Sequence, residues 1–289
     1  MGLISNTHSI DLEAGSLQYL SAADNTHLSI TGDLTIELWV KLESSPGAGS
    51  SYDLVTKYES TGDQRSYNLD YFNNSGTFQL RLTLSTDGAA GTLKTRTVAQ
   101  TLSTGTWYHV AISYVASTGT ATFYLDGSSL GTGGGDALPT SIFDSTAVFE
   151  IGSSNGGSNY FDGLIDDVRV WAEARSGDEI SNNYLTEIDS TTNLKGSWHL
   201  DNALTDSSGN DITLTNNNVA VFSTDTPFQF DWSGSETLTL TENLIGNLSI
   251  YVTDDVLLLD RSDYKIGDSK WTSTPKSDTN PTITNVSKT

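Results

Sequence analysis

The chain has 289 residues, and 36 Asp plus Glu against 14 Lys plus Arg give a formal net charge of −22. Only 17% of residues are charged, so the imbalance comes from scarce, scattered bases, and no basic cluster exists to displace counterions from a duplex or to dock on an anionic bilayer. Cysteine is absent, which excludes disulfides, thiolate metal sites and a Cys nucleophile, whereas 36% hydrophobic and 9% aromatic content suffices for a full core.

Met1 to His8 holds no basic stretch followed by an apolar one, so no Sec-type signal peptide is expected, and no run approaches the ~18 apolar residues of a membrane span. The first clear element is period 2. From Leu34 to Leu42 the even positions Leu34, Ile36, Leu38, Val40 and Leu42 are apolar, while Thr35, Glu37 and Lys41 point the other way and Trp39 breaks the polar side. Phe78, Leu80, Leu82 and Leu84 repeat the pattern, as do Tyr108, Val110, Ile112 and Tyr114, and then Phe123 and Leu125. Between these strands lie polar, glycine-rich turns at Ser44 to Ser51, Asp87 to Gly91, Gly131 to Asp136 and Gly152 to Ser158. Alternating strands joined by short polar turns point to antiparallel sheets, because parallel sheets show continuous apolar runs and intervening helices. One helix is expected: Ser176-Gly177-Asp178-Glu179 reads as a capping box, followed by Ile180, Tyr184 and Ile188, and it should pack against a sandwich edge. After Pro227, Leu238 and Leu240, then Leu248, Ile250 and Val252, then Val256 to Leu259 suggest three or four further strands before a polar tail from Thr272 to Thr289.

Five blocks in chain order carry a resemblance. They are Ser9 to Glu13 running into Gln18-Tyr19-Leu20, then Leu34 to Lys41, Thr106-Trp107-Tyr108-His109-Val110-Ala111, Phe123 to Gly127, and Phe161 to Trp171 with its Asp166-Asp167 pair. Together they resemble the laminin-G-like jelly-roll family of the concanavalin A-like lectin/glucanase superfamily, over roughly Ser9 to Phe222. The resemblance implies an all-β antiparallel jelly-roll sandwich over residues 1–226 with one short helix. A small β-rich block then occupies 227–289 and would suit an assembly arm. Leu194 to Leu200, leading to Asp206-Ser207-Ser208-Gly209-Asn210, resembles a segment that often opens such modules. Here it comes late, so it either closes the sandwich in permuted order or starts a second copy, and the lack of further blocks after Phe222 favours closure. Leu125-Asp126-Gly127 reads as a hairpin turn, and the indoles of Trp107 and Trp171 need partners if buried.

Catalysis is weakly signalled. A glycosidase needs two carboxylates on one face, ~5–5.5 Å or ~6.5–9.5 Å apart. Asp11 and Glu13 have i, i+2 spacing without an adjacent aromatic, Asp166 and Asp167 alternate to opposite faces, and Glu37 has no acidic partner at i±2. None of His8, His27, His109 and His199 lies near a nucleophile elbow, and the resemblance makes His109 structural. Calcium is the cofactor expected, since the family often carries one on the sandwich rim and oxygen ligands abound. If the first and last strands pair as the resemblance implies, Glu13, Asp166 and Asp167 become neighbours and form the leading set; the alternative is that Asp166 caps backbone amides and Asp167 pairs with a base. Asp206, Ser208, Asn210 and Asp211 form a second set with EF-hand-like opening spacing but without the closing Glu. For glycan binding, Tyr58, Arg65, Tyr67, Asp70 and Tyr71 form one candidate cluster and Asn155, Asn159 and Tyr160 another, with half-buried strand tyrosines the competing reading. The sequence thus points to a non-catalytic, surface-exposed binding or structural module without nucleic-acid or membrane partners. It is expected as a phage virion decoration or tail component, possessing neighbouring subunits or a glycan as partner; the alternatives are an exported bacterial adhesin or carbohydrate-binding protein and, disfavoured, a glycoside hydrolase or its accessory module.

Overall fold

Strand formation follows the alternation closely. The computed structural model describes residues 6–186 and 188–227 in full, together with the backbone of 239–242 and 248–251. In chain order the strands are β1 (Ser9–Leu12), β2 (Tyr19–Ala22), β3 (Leu34–Leu42), β4 (Ser51–Glu59), β5 (Gln64–Asn74), β6 (Thr77–Leu84), β7 (Lys94–Ala99), β8 (Trp107–Val115), β9 (Thr120–Leu125) and β10 (Ser128–Gly131). They continue as β11 (Gly134–Gly135), β12 (Phe149–Ile151), β13 (Gly163–Trp171), helix α1 (Gly177–Asn183), β14 (Leu194–Trp198), β15 (Thr215–Asn217) and β16 (Val221–Ser223). One eight-stranded sheet runs β10-β9-β8-β3-β13-β1-β16, with β14 also on β13; the other runs β11-β7-β6-β5-β4-β12-β2-β15. Every pairing between them is antiparallel, as expected. Strands β14, β15 and β16 join β13, β2 and β1, so the late segment closes the sandwich.

Ile36, Leu38 and Val40 from β3 and Val110, Ile112 and Tyr114 from β8 share one core with Tyr67, Leu69 and Tyr71 of β5 and Leu80, Leu82 and Leu84 of β6. Trp198 stacks on Phe149 with ring centres 5.2 Å apart and donates its indole N–H to Ile212 O at 2.7 Å. The β9–β10 turn puts both Asp126 (φ 48°) and Gly127 (φ 72°) in the left-handed region, the form that matches strand twist. Gly127 also admits no side chain, since a Cβ there would lie 2.8 Å from the Tyr184 ring. A second unit, Phe230–Thr289, contains β17 (Thr239–Glu242) paired antiparallel with β18 (Leu248–Tyr251). Residues 1–5, Leu238, Val252, the strand expected at Val256 to Leu259 and the tail Thr272 to Thr289 lie outside the described residues.

The first sheet's outer face departs from simple alternation. Glu37 points away from the core, yet it is fully buried, because α1, which lies against the edge strand β10 and over β8 and β9, and the chain around it cover that face. Ser176 caps α1 through the expected box, Ile180 packs on Ala111 and Tyr124, and Tyr184, where the helix ends, stacks near Trp39 and His109. Ile188 therefore lies beyond the helix. Glu37 Oε1 accepts from Trp171 Nε1 at 2.7 Å and Arg175 Nη1 at 2.8 Å, with Arg169 Nη1 at 3.8 Å and His109 Nε2 3.6 Å from Oε2. Burial alone would raise this carboxyl; Arg169, His109 and Arg175 outweigh it and bring its pKa to about 2. Trp107 finds its partner in Asp225 Oδ1 at 2.9 Å. Glu37→Gln leaves buried guanidinium charge uncompensated and should destabilise the fold by roughly 3–5 kcal/mol in chemical denaturation; a loss below about 1 kcal/mol would show that the network contributes little.

Candidate functional site

The outer face of the second sheet carries the densest polar chemistry outside that network. Along β5, odd residues enter the core, so Asn68, Asp70 and Phe72 share the outer face. Register brings Asp53 of β4 opposite Asp70, Arg81 of β6 opposite Asp70 on its other side, and Glu150 of β12 opposite Thr56 and Ser21. A bulge between Asp53 and Val55 lets Asp53 face outward while Leu54 and Val55 both stay buried. Arg81 Nε donates to both Asp70 oxygens at 2.9 and 3.0 Å, and its guanidinium lies 4.0 Å from the Phe72 ring centre.

The loop after β12 folds back over these acids. Asn159 Nδ2 donates to Asp53 Oδ2 at 3.1 Å, and Gly156 N–H donates to Glu150 Oε1 at 3.1 Å. Tyr160 sits 6.0 Å from Tyr19 of β2, and its hydroxyl presses so closely on Gly157 (φ 116°) that a Cβ would lie 2.2 Å away. Asp53, Asp70 and Glu150 are almost wholly buried, whereas Phe72, Arg81, Tyr19 and Tyr160 are half-buried and Asn159 is exposed. Burial lifts the Asp70 carboxyl to about 8, with Asp53 adding to the rise and Arg81 opposing it. Burial likewise lifts Glu150 to about 7, against the Gly156 hydrogen bond and with help from Asp53 and Glu59. Asp53 is raised by burial despite bonds from Ser154, Asn159 and Asn68.

Of the residues expected to grip a glycan, Asp70, Asn159 and Tyr160 come onto this face. Tyr67 and Tyr71 do not: both are fully buried in the core, where Tyr67 Oη donates to Leu28 O and Tyr71 Oη accepts from Leu102 N–H. Their odd positions in β5 dictate this. Arg65 is tied into the β4–β5 turn by Asp63, Gly88 O and Ser60 O, with Tyr58 beside it. Asn155 closes the same end by accepting Ser60 N–H. Asp53, Asn68, Phe72, Arg81, Glu150 and Tyr19 are additional; the alternation of β5 marks Asn68 and Phe72, while Asp53 and Glu150 depend on cross-strand register.

The metal sets are rearranged too. β1 pairs Leu12 with Gly163 and Ile10 with Ile165, so Glu13 lies beyond the Gly163 end while Asp166 and Asp167 follow Ile165 at the other. Asp166 Oδ1 accepts Asp167 N–H and its other oxygen bonds Asn6, whereas Asp167 pairs with Arg169 and His199. Burial raises Asp166 strongly; for Asp167 the Arg169 guanidinium overcomes burial and lowers it. Glu13 instead meets Asp11 and Glu43, whose carboxylate oxygens lie within 4.8 Å of one another. Asp11 Oδ1 is buried without a hydrogen bond, and Glu43 is raised by burial and by Asp11, Glu13 and Asp162. In the second set, Asp206 accepts from Ser197 N, Ser208 N, Ser208 Oγ and Ile212 N, and Asn210 Nδ2 donates to Leu194 and Lys195 carbonyls. Those donors fill Asp206, while Asp211 is an exposed turn residue (φ 57°), so this set organises a turn.

Residues 14–181 match the family described as the concanavalin A-like lectin/glucanases superfamily. This chain belongs to that superfamily. Among solved structures of comparable fold, a proposed carbohydrate-binding protein of Bacteroides ovatus superposes with TM-score 0.58 at 20% identity, covering 78% of this chain and 62% of that one. A native heptameric SAP-like pentraxin from Limulus polyphemus gives TM-score 0.51 at 16% identity, covering 75% and 94%. In sequence, 151 residues are 27% identical to the adhesion G-protein coupled receptor V1 of Danio rerio, spanning 52% of this chain but 2% of the receptor. Among the described residues, no helix is long and apolar enough to cross a membrane.

The carboxyl shifts set a pH profile. Asp70 and Glu150, raised to about 8 and about 7, add stability that is complete below the unfolded value near 4 and lost as pH rises through 7 to 8. Glu37, lowered to about 2, adds stability present above its unfolded value and lost as pH falls toward 2. The melting midpoint should therefore peak near pH 4–5 and decline toward pH 9, and Asp70→Asn should flatten the alkaline limb. A midpoint rising steadily from pH 5 to pH 9 would contradict these shifts.

Proposed function

We propose that the sandwich unit is a non-catalytic carbohydrate-binding module of a surface-exposed protein, with the outer face of the second sheet as its binding surface. The observation that carries the reading is the grouping of half-buried rings Phe72, Tyr160 and Tyr19 with the Asn159 amide and the Arg81 guanidinium above a floor of Asp53, Asp70 and Glu150. Aromatic rings supply flat apolar contact for a sugar ring, while amides and carboxylates match hydroxyl donors and acceptors. The carbohydrate-binding name of the Bacteroides ovatus relative is consistent with this. Glycan-array screening followed by titration should give at least one bound class. Phe72→Ala and Tyr160→Ala should each weaken it about tenfold, or ~1.4 kcal/mol, without lowering the melting midpoint; full affinity in both variants places binding elsewhere.

A second reading is a virion decoration or tail component, in which the second compact unit, Phe230–Thr289, would serve as the assembly arm. Mass measurement in solution separates the two: a stable trimer or larger assembly without glycan affinity favours the particle component, and a glycan-binding monomer counts against it.

Calcium belongs at the rim in this proposal. Asp11, Glu13 and Glu43 offer three carboxylates to a hard cation, and the unpartnered Asp11 oxygen and crowded Glu43, which the nearby Lys41 only partly offsets, fit a site short of positive charge. Asp162 stands beside them but is engaged with Ala14 N–H and Ser44. Calcium should raise the melting midpoint, a chelator should lower it, and Glu13→Gln with Glu43→Gln should abolish the difference; a midpoint indifferent to both additions removes calcium from the rim.

A further inference from the structure

The outer face of the second sheet holds more acceptors than its own chain fills. Asn159 and Asn68 each give Asp53 an amide hydrogen, Arg81 Nε serves Asp70, and Gly156 N–H serves Glu150 Oε1. Two oxygens remain buried with no partner, Glu150 Oε2 and Asn68 Oδ1. Glu150 is fully buried, Asn68 is 7% exposed, and register sets them on either side of Thr56 on the same outer face. The Asn68 amide oxygen only accepts, as does the Glu150 carboxylate once it ionises above about 7, and a buried acceptor left unmatched costs free energy that a ligand's O–H or N–H recovers.

Charge acts in the same direction. Three acids share the face with Arg81, which is already paired with Asp70 and lies over Phe72. Other nearby bases are engaged elsewhere: Lys57 with Asp24 and two carbonyls on the inner side, Arg65 with Asp63, and Arg96 with the Thr132 and Gly133 carbonyls. Glu59 adds a further acid near Glu150.

On the carbohydrate-binding reading above, we infer that this face selects sugars rich in hydrogen-bond donors, neutral or carrying an ammonium group, and rejects acidic sugars. A sugar carboxylate would bring more acceptors to oxygens that lack donors and, where Glu150 and Asp70 are ionised above about 7 and about 8, would enter a poorly screened field of its own sign. A hydroxyl or ammonium group meets both demands. Glu150 is then a specificity residue, its unmatched oxygen and charge setting the preference.

The full chain is applied to a printed array of neutral, amino, and uronate or sialylated glycans of matched length, and bound classes are titrated at pH 9, where Glu150 and Asp70 are ionised. Neutral or amino members should bind at least about tenfold more tightly than acidic counterparts, and Glu150→Gln, checked by its melting curve for intact folding, should narrow that ratio. Acidic glycans binding equally or better overturn the selectivity and leave the carbohydrate reading standing. An unchanged ratio in folded Glu150→Gln overturns the role of Glu150, and no signal from any class removes the carbohydrate reading and the selectivity with it.

Discussion

A single buried anion organises one half of the molecule. Glu37 lies on the central strand β3, and the groups that meet it come from far along the chain: His109 on β8, Arg169 and Trp171 on β13, and Arg175 at the approach to α1. A buried carboxylate without partners would take a proton or unfold its surroundings, so its presence requires these donors to arrive together. That requirement fixes α1 on the outer face of the first sheet and leaves the outer face of the second sheet to carry the candidate ligand chemistry.

The two faces use similar residue types to opposite ends. Around Glu37, cations and indoles match the carboxylate and hold its pKa low. Around Asp53, Asp70 and Glu150, acids outnumber their partners, and burial holds pKa values high. Matched charge reads as architecture, and unmatched charge beneath half-buried rings reads as a surface built toward something else.

The strands were largely legible because their apolar side chains recur every two residues, as from Leu34 to Leu42, although the burial of Thr35, Glu37 and Trp39 on the other face was not. The capping box at Ser176 was equally local. Register was not: the bulge between Asp53 and Val55, and the one that puts Asp167 at φ 43° and pairs Arg169 with Glu37, insert extra residues that composition does not announce. The β1–β13 register, with Leu12 opposite Gly163, separates Glu13 from Asp166, and the bulge at Asp53 turns that carboxylate outward. Tyr67 and Tyr71 were legible in principle, since strict alternation from Leu69 sends both inward. The fold-back of Gly152 to Tyr160 rests on bonds to carboxylates on other strands, which no local pattern contains.

Strand order also governs when the sandwich can exist. β13 separates β1 from β3, and β16 closes the sheet beyond β1, so two N-terminal strands remain unjoined until much later sequence arrives. During synthesis β3 has β8 as an early partner, but its opposite edge stays open. Such non-local closure makes for slow folding and a long interval in which paired edges are available to other chains. The sparse bases and abundant acids then have a kinetic role: like charge on every nascent copy discourages neighbours from supplying the missing strand first.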